Sequence, residues 1–337
     1  MSKTKQHRSL LGSAAVVLFS AVLFFNILFS RQYIVDSVKA YQYAPSADMA
    51  HIRSDLRLTS KGSFYFNASE PVIEPASEFN QSCRQTQETN NPILGCYDAE
   101  RIYVFDVTNK KLAGIEQTTA AHELLHAAYG RLGSSDKAAL DTELQKAYEQ
   151  HKTPELIERM DYYKRTEPGE EMNELHSILG TEISDVGPIL EDHYRQYFTD
   201  RSVITNFHNQ YATIFSSVTN DIQRLSTQIN SQTAALNIRI DAYNASVQQL
   251  DSDAASFSKR NRQGEFTSAD EFNSEQNQLL QRQNALADER NSINVAINSI
   301  DGLRTQYNQL VEEYNQLNSS INSSLTPVNS VNAQGAM

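Results

Sequence analysis

Basic residues are scarce in this chain of 337 residues: 29 Lys and Arg stand against 41 Asp and Glu, for a formal net charge of −12. Beyond a short N-terminal stretch no basic run occurs. That excludes a nucleic-acid binder, which needs a basic face to displace counterions from phosphates. Apolar residues make up only 39% of the chain, low for one compact globule. They crowd into residues 10–30 and thin out toward the C-terminus, so the chain is a mosaic of two or three structural units. Cysteine is nearly absent, with only Cys83 and Cys96. No close Cys or His pairing surrounds either one, which argues against a cysteine zinc site. The even count predicts one disulfide if this part lies outside the cytoplasm, and two free thiols in a reducing compartment.

What is present begins with one long apolar run. Residues 10–29, LLGSAAVVLFSAVLFFNILF, carry no charge and only Ser13, Ser20 and Asn26 as polar interruptions. About twenty residues at ~1.5 Å rise cross a ~30 Å hydrocarbon core. Lys3, Lys5 and Arg8 precede the run and Arg31 follows it. Basic residues favour the cytoplasmic side, so the expectation is a single-pass anchor in the lipid bilayer, N-terminus cytoplasmic and the bulk of the chain extracytoplasmic. A cleaved signal peptide would have a shorter apolar region ending at a small-x-small site, and the following SRQYIVD offers none.

Residues 32–60 show helix-like apolar spacing at Ile34, Val38, Tyr41, Met49, Ile52 and Leu56. SFYFNAS at 63–69 has the aromatic density of a short strand, and residues 70–94, with Pro71, Pro75 and Pro92, have loop composition. Cys96-Tyr97-Asp98 and RIYVFDV at 101–107 predict two strands joined by a tight turn. The second strand is apolar on both faces and should be covered on both; alternatively, as an edge strand, it could take up an extended peptide. A helix is expected from Thr118 or Thr119, either of which could cap it, to about Arg131. Further helices are expected at about 135–151, 153–165, 168–180 and 187–199.

The chemistry-bearing motif is His122-Glu123-Leu124-Leu125-His126. A separation of four puts both imidazoles on one helix face, where two nitrogens can reach one metal at ~2.0–2.1 Å. Glu123 lies ~100° around the helix, beside the ion rather than on it. That is the position for a base that deprotonates a water activated by the metal. Such a site needs a third protein ligand, and Glu174, in Glu171-Met172-Asn173-Glu174-Leu175-His176-Ser177, is the first candidate. Glu182 and His176 are the others. His-Glu-x-x-His followed by Asn-Glu-x-x-Ser on a second helix resembles the gluzincin branch of zinc peptidases, which includes thermolysin-like enzymes and membrane alanyl aminopeptidases. The resemblance spans about residues 95–185. It implies Zn²⁺ held by His122, His126 and Glu174, Glu123 as general base, and a peptide substrate. The gap from His126 to Glu174 is about twice that of those groups, so a helical insertion should fold between them. Ile178 stands where thermolysin-like enzymes carry an Asp, which leaves the partner of a ligand histidine unassigned. A donor for the developing oxyanion is also needed, and Tyr194 is the candidate, on a helix that also carries His193 and Tyr197.

The C-terminal third has apolar residues at spacings of three and four from Tyr211 to Phe257. From Leu279 through Leu286, Ile293, Ile300, Tyr307 and Tyr314 to Ile321 they recur every seven. Ser268 with Glu271 is a capping-box signature opening the second helix. An antiparallel coiled-coil hairpin ~80 Å long is expected, with Gln, Asn and Ser outside the seam and a protein partner open to it. The expected architecture is α+β and mostly helical: a cytoplasmic tail and transmembrane helix (1–31), a zincin-like domain with a small β-sheet (32–200), the hairpin (201–325) and a disordered tail (326–337). The functional expectation is a membrane-anchored extracytoplasmic zinc peptidase. The alternative is a non-catalytic cell-envelope protein whose hairpin binds a partner, with the zincin-like fold as scaffold.

Overall fold

A computed structural model describes residues 31–83 and 93–322. The expected anchor, residues 10–29, and the tail from 326 lie outside the described residues. No helix among the described residues is long and apolar enough to cross a membrane. The chain divides into two compact units, one running through Ile214 and resuming at Leu317, the other spanning Phe215–Gln316.

The first unit is mostly helical around a small sheet. Residues 31–42 form helix α1. The single helix suggested for 32–60 is interrupted at Pro45, and Ser46 caps a second, α2 (Ala47–Asp55), by accepting from the Met49 N–H. Residues 63–69, expected as a strand, belong instead to helix α3 (Ser60–Ala68), capped by Thr59 accepting from Gly62 N–H. A Cβ on Gly62 would sit 2.1 Å from the Tyr197 carbonyl oxygen, so the helix lies directly on backbone. Close packing overrides the strand preference of Phe64, Tyr65 and Phe66.

Strand β1 (Val72–Glu74) and helix α4 (Ala76–Ser82) occupy part of the expected loop. Strands β2 (Gly95–Tyr97) and β3 (Ile102–Phe105) are the expected hairpin. The sheet order is β1-β3-β2, with β1 parallel and β2 antiparallel to β3. β3 is therefore central, which rules out the edge role raised for it. Both its faces are covered, as its pattern implied. Ile102 and Val104 enter the main core, while Phe105 and Tyr103 join a smaller cluster with Phe79 and Cys83. Cys83 and Cys96 form a disulfide.

Helix α5 (Ile115–Gly130) starts earlier than either threonine, at Gly114, whose φ of 95° suits glycine. Thr118 then donates its hydroxyl to the Gly114 carbonyl. Helices α6 (Ser134–His151), α7 (Pro154–Thr166) and α8 (Glu171–Glu182) follow close to their expected positions, whereas α9 (Pro188–Tyr194) ends five residues before the expected 199; α6 and α7 lie between His126 and Glu174. The core joins Ala120, Ala121, Leu124, Leu125 and Ala128 of α5 to Leu175 and Leu179 of α8 and to Tyr194, Tyr197 and Phe198.

The second unit takes in α10 (Ser202–Gln263) from Phe215 onward and α11 (Ala269–Ile321) as far as Gln316. Cross-helix partners fall in number on one helix as they rise on the other: Phe215 with Tyr314, Arg239 with Glu289, Asp253 with Arg282, Arg260 with Glu275. The helices are thus an antiparallel hairpin. Leu236, Ile293 and Ile300 are buried between them, on the expected seam. Gly264, at φ 67°, turns the chain, and Ser268 caps α11 by accepting from Glu271 N–H.

Candidate metal centre

Twelve of the sixteen residues of α5 are buried. A helix apolar on every side belongs in a core, where its few polar groups must find partners. Small residues on α5 let neighbouring elements approach closely. Gly180 does the same on α8: a Cβ there would lie 2.3 Å from Leu125 Cδ1 and 2.7 Å from the Tyr194 ring. This fit lays α8 along α5 and brings Glu174 opposite the two histidines.

His122, Glu123 and His126 place their ligand-type atoms within 4.8 Å of one another, a group that could hold a metal ion. The imidazoles meet edge to face at 4.7 Å between ring centres. The Glu174 carboxylate faces both, with Oε1 3.4 Å from His126 Nε2 and Oε2 3.7 Å from His122 Nε2. These distances exceed good hydrogen bonds, which run to ~3.2 Å. They approach the ~3.3–3.4 Å between two donors on one tetrahedral ion with bonds of ~2.0–2.1 Å. Glu174 Oε2 is buried without a hydrogen-bond partner. An orphaned carboxylate oxygen beside two imidazole nitrogens is a donor set that fits a divalent cation.

The surrounding bonds orient the donors. His126 Nδ1 lies 3.0 Å from Asn173 Oδ1. The amide oxygen can only accept, so Nδ1 carries the proton in this bond and Nε2 is the ring nitrogen turned toward Glu174. The Asn173 amide in turn donates to Glu170 Oε2 at 2.9 Å. Burial pushes the Glu123 carboxyl up to about 8; His126 opposes the rise and the charges of Glu174 and Glu167 add to it. Burial acts the same way on Glu174, but His126, His122 and Arg159 overcome it and hold that carboxyl at about 2. β2 closes the far side of Glu123. A Cβ on Gly95 would fall 2.6 Å from Glu123 Oε1 and from Thr119 Cγ2, so only glycine lets the strand lie against the carboxylate.

No protein-family model, curated protein or solved structure matches this chain.

The other candidates are engaged elsewhere. Glu182 forms a two-pronged ion pair with Arg159 at 2.7 and 2.8 Å, with His208 Nε2 3.9 Å away. His176 is fully buried, its Nε2 2.9 Å from His193 Nε2. Tyr194 stacks on His176 and donates its buried hydroxyl to the His176 carbonyl at 2.7 Å. That bond removes Tyr194 as the oxyanion donor expected of it. Asn173 and Gly95 emerge as site residues that had no assigned role. Asn173 stood next to Glu174 in the motif itself. Gly95 carried the signal of a glycine inside a strand, which marks close approach. Tyr163, on α7, also lies within the field of Glu174; burial first, then that charge, raises its phenol above the usual range.

Proposed function

We propose that the protein is a membrane-anchored, extracytoplasmic zinc peptidase of gluzincin type. The observation that carries this reading is the Glu174 carboxylate, which meets both Nε2 atoms at 3.4 and 3.7 Å and keeps one buried oxygen unpartnered. His122, His126 and Glu174 would hold the ion, and Asn173 orients His126. Zinc bound there would supply Lewis acidity for a water and for the substrate carbonyl. Glu123 accepts the proton of the attacking water and passes it to the departing amine. Its buried setting, which makes a carboxylate more basic, suits that task.

Among the described residues β2 pairs only with β3. An extended peptide can add as a further strand along its other edge. The extracytoplasmic placement is supported by the charge pattern around residues 10–29 and by the disulfide, a bond of oxidising compartments.

The test is metal analysis and peptide hydrolysis on the full chain in detergent. The wild type should carry one zinc per chain, His126→Ala none, and Glu123→Gln should keep zinc yet lose turnover. Full zinc in His126→Ala, or unchanged turnover in Glu123→Gln, overturns the reading.

A further inference from the structure

Helix α1 is built inside out. At ~100° per residue, Gln32, Asp36, Lys39 and the following Tyr43 share one side, and this polar side faces the unit. Asp36, 3% exposed, binds Arg131 Nε and Nη2 at 2.9 Å each. Lys39 Nζ sits 3.9 Å from Glu70 and 3.7 Å from Glu100. Tyr43 donates to the Pro71 carbonyl at 2.6 Å. The opposite side carries Ile34, Val38 and Tyr41, with Tyr33 and Val35 flanking, and these five are 43–91% exposed, Tyr41 the most. An apolar stripe at this spacing ordinarily seats a helix on its own core. Here ion pairs do that, and the stripe is left for another apolar phase.

The chain just upstream identifies that phase. The uncharged run of residues 10–29 ends five residues before Ile34, so even extended backbone keeps Ile34 within ~18 Å of its end. Tyrosine favours the membrane–water boundary, and amphipathic helices bury an apolar face there. Continuity with that apolar run favours the bilayer over a second copy of the chain, and the cross-linking arm of the test below separates the two. We infer that the outward face of α1, centred on Ile34, Val38 and Tyr41, seats in the headgroup region of the phospholipid bilayer that anchors the chain, an inference that rests on the membrane reading above. The Asp36–Arg131 pair then ties that surface contact rigidly to the end of α5.

The test uses the full chain in phosphatidylcholine vesicles doped with spin-labelled phosphatidylcholine. Its two native cysteines are paired, so one added cysteine takes up a fluorophore selectively. Labels at Val38→Cys and Tyr41→Cys should lose emission to the lipid spin label and resist aqueous iodide. A label at exposed Ser252 should do the opposite. A label at Phe19→Cys separates the two levels of the reading. Lipid quenching at Phe19 with none at Val38 and Tyr41 overturns the inference alone; no quenching at Phe19 removes the anchor and the inference together. A Tyr41→Cys chain that cross-links to a second copy, or labels shielded from both quenchers, assigns the face to protein instead and also overturns it.

Discussion

Replacing Asn173 by alanine tests the assembly of the metal centre without touching a ligand. The wild-type amide accepts from His126 Nδ1 at 3.0 Å and is itself held by Glu170. Alanine leaves a ring that is 9% exposed with no fixed partner on Nδ1. The ring can then take the other tautomer, which puts a proton on Nε2 and blocks that donor. Loss of such an orienting partner weakens metal affinity about 10–100-fold, which is about 1.4–2.8 kcal/mol at ~1.4 kcal/mol per decade. The measurement is zinc competition against a fluorescent chelator on the full chain in detergent. Asn173→Asp keeps an acceptor at the same place but sets a carboxylate against Glu170, so it is paired with Glu170→Gln, and that double variant should bind zinc at least as tightly as the wild type. Melting of the metal-free proteins serves as the fold control. Equal zinc affinity for wild type and Asn173→Ala, with matching melts, would refute the role given to Asn173. So would a double variant as weak as the alanine one.

Asp36→Ala strands the Arg131 guanidinium in a pocket where its side chain is only 7% exposed. A cost of about 3–5 kcal/mol is expected, measured by denaturant unfolding, and Arg131→Met on top of it should recover much of the loss. Gly95→Ala should keep zinc but cut hydrolysis, because a Cβ 2.6 Å from Glu123 Oε1 must displace the base; wild-type turnover in that variant would show the strand to be slack there. Burial raises the Glu182 carboxyl, but the paired Arg159 outweighs it and holds it below its usual 4.5. A depressed carboxyl stabilises the fold fully above pH 4.5 and loses that contribution as pH falls through its lower folded value. Acid unfolding of Glu182→Gln should therefore depend less on pH below 4.5 than that of the wild type.

Parts of this molecule were readable because one local rule decided them. The i, i+4 histidine pair needed only a helix, and α5 supplied it. The seven-residue spacing from Leu279 to Ile321 needed only a partner at the same spacing, and α10 supplied that. What was misread depended on neighbours distant in sequence. The 63–69 segment has strand-forming aromatics, yet Thr59 caps it and the Tyr197 carbonyl presses on Gly62. Ile34, Val38 and Tyr41 have a core-like period, but the side buried is the one bearing Asp36, because Arg131 waits there. β3 is central because β1 pairs with its free side, a parallel neighbour that loop-like composition concealed. Tyr194 sat on the expected helix, but its hydroxyl was claimed by a carbonyl of α8.

The disulfide bears on only part of the site. Cys96 is the residue after Gly95, so the bond that fastens β2 to the end of α4 also secures the glycine lying against Glu123. The metal-facing side chains are secured differently, by helix packing and the Asn173 hydrogen bond. Reducing the disulfide would therefore free the strand against Glu123, while the packing of α5 on α8 that gathers His122, His126 and Glu174 does not depend on it.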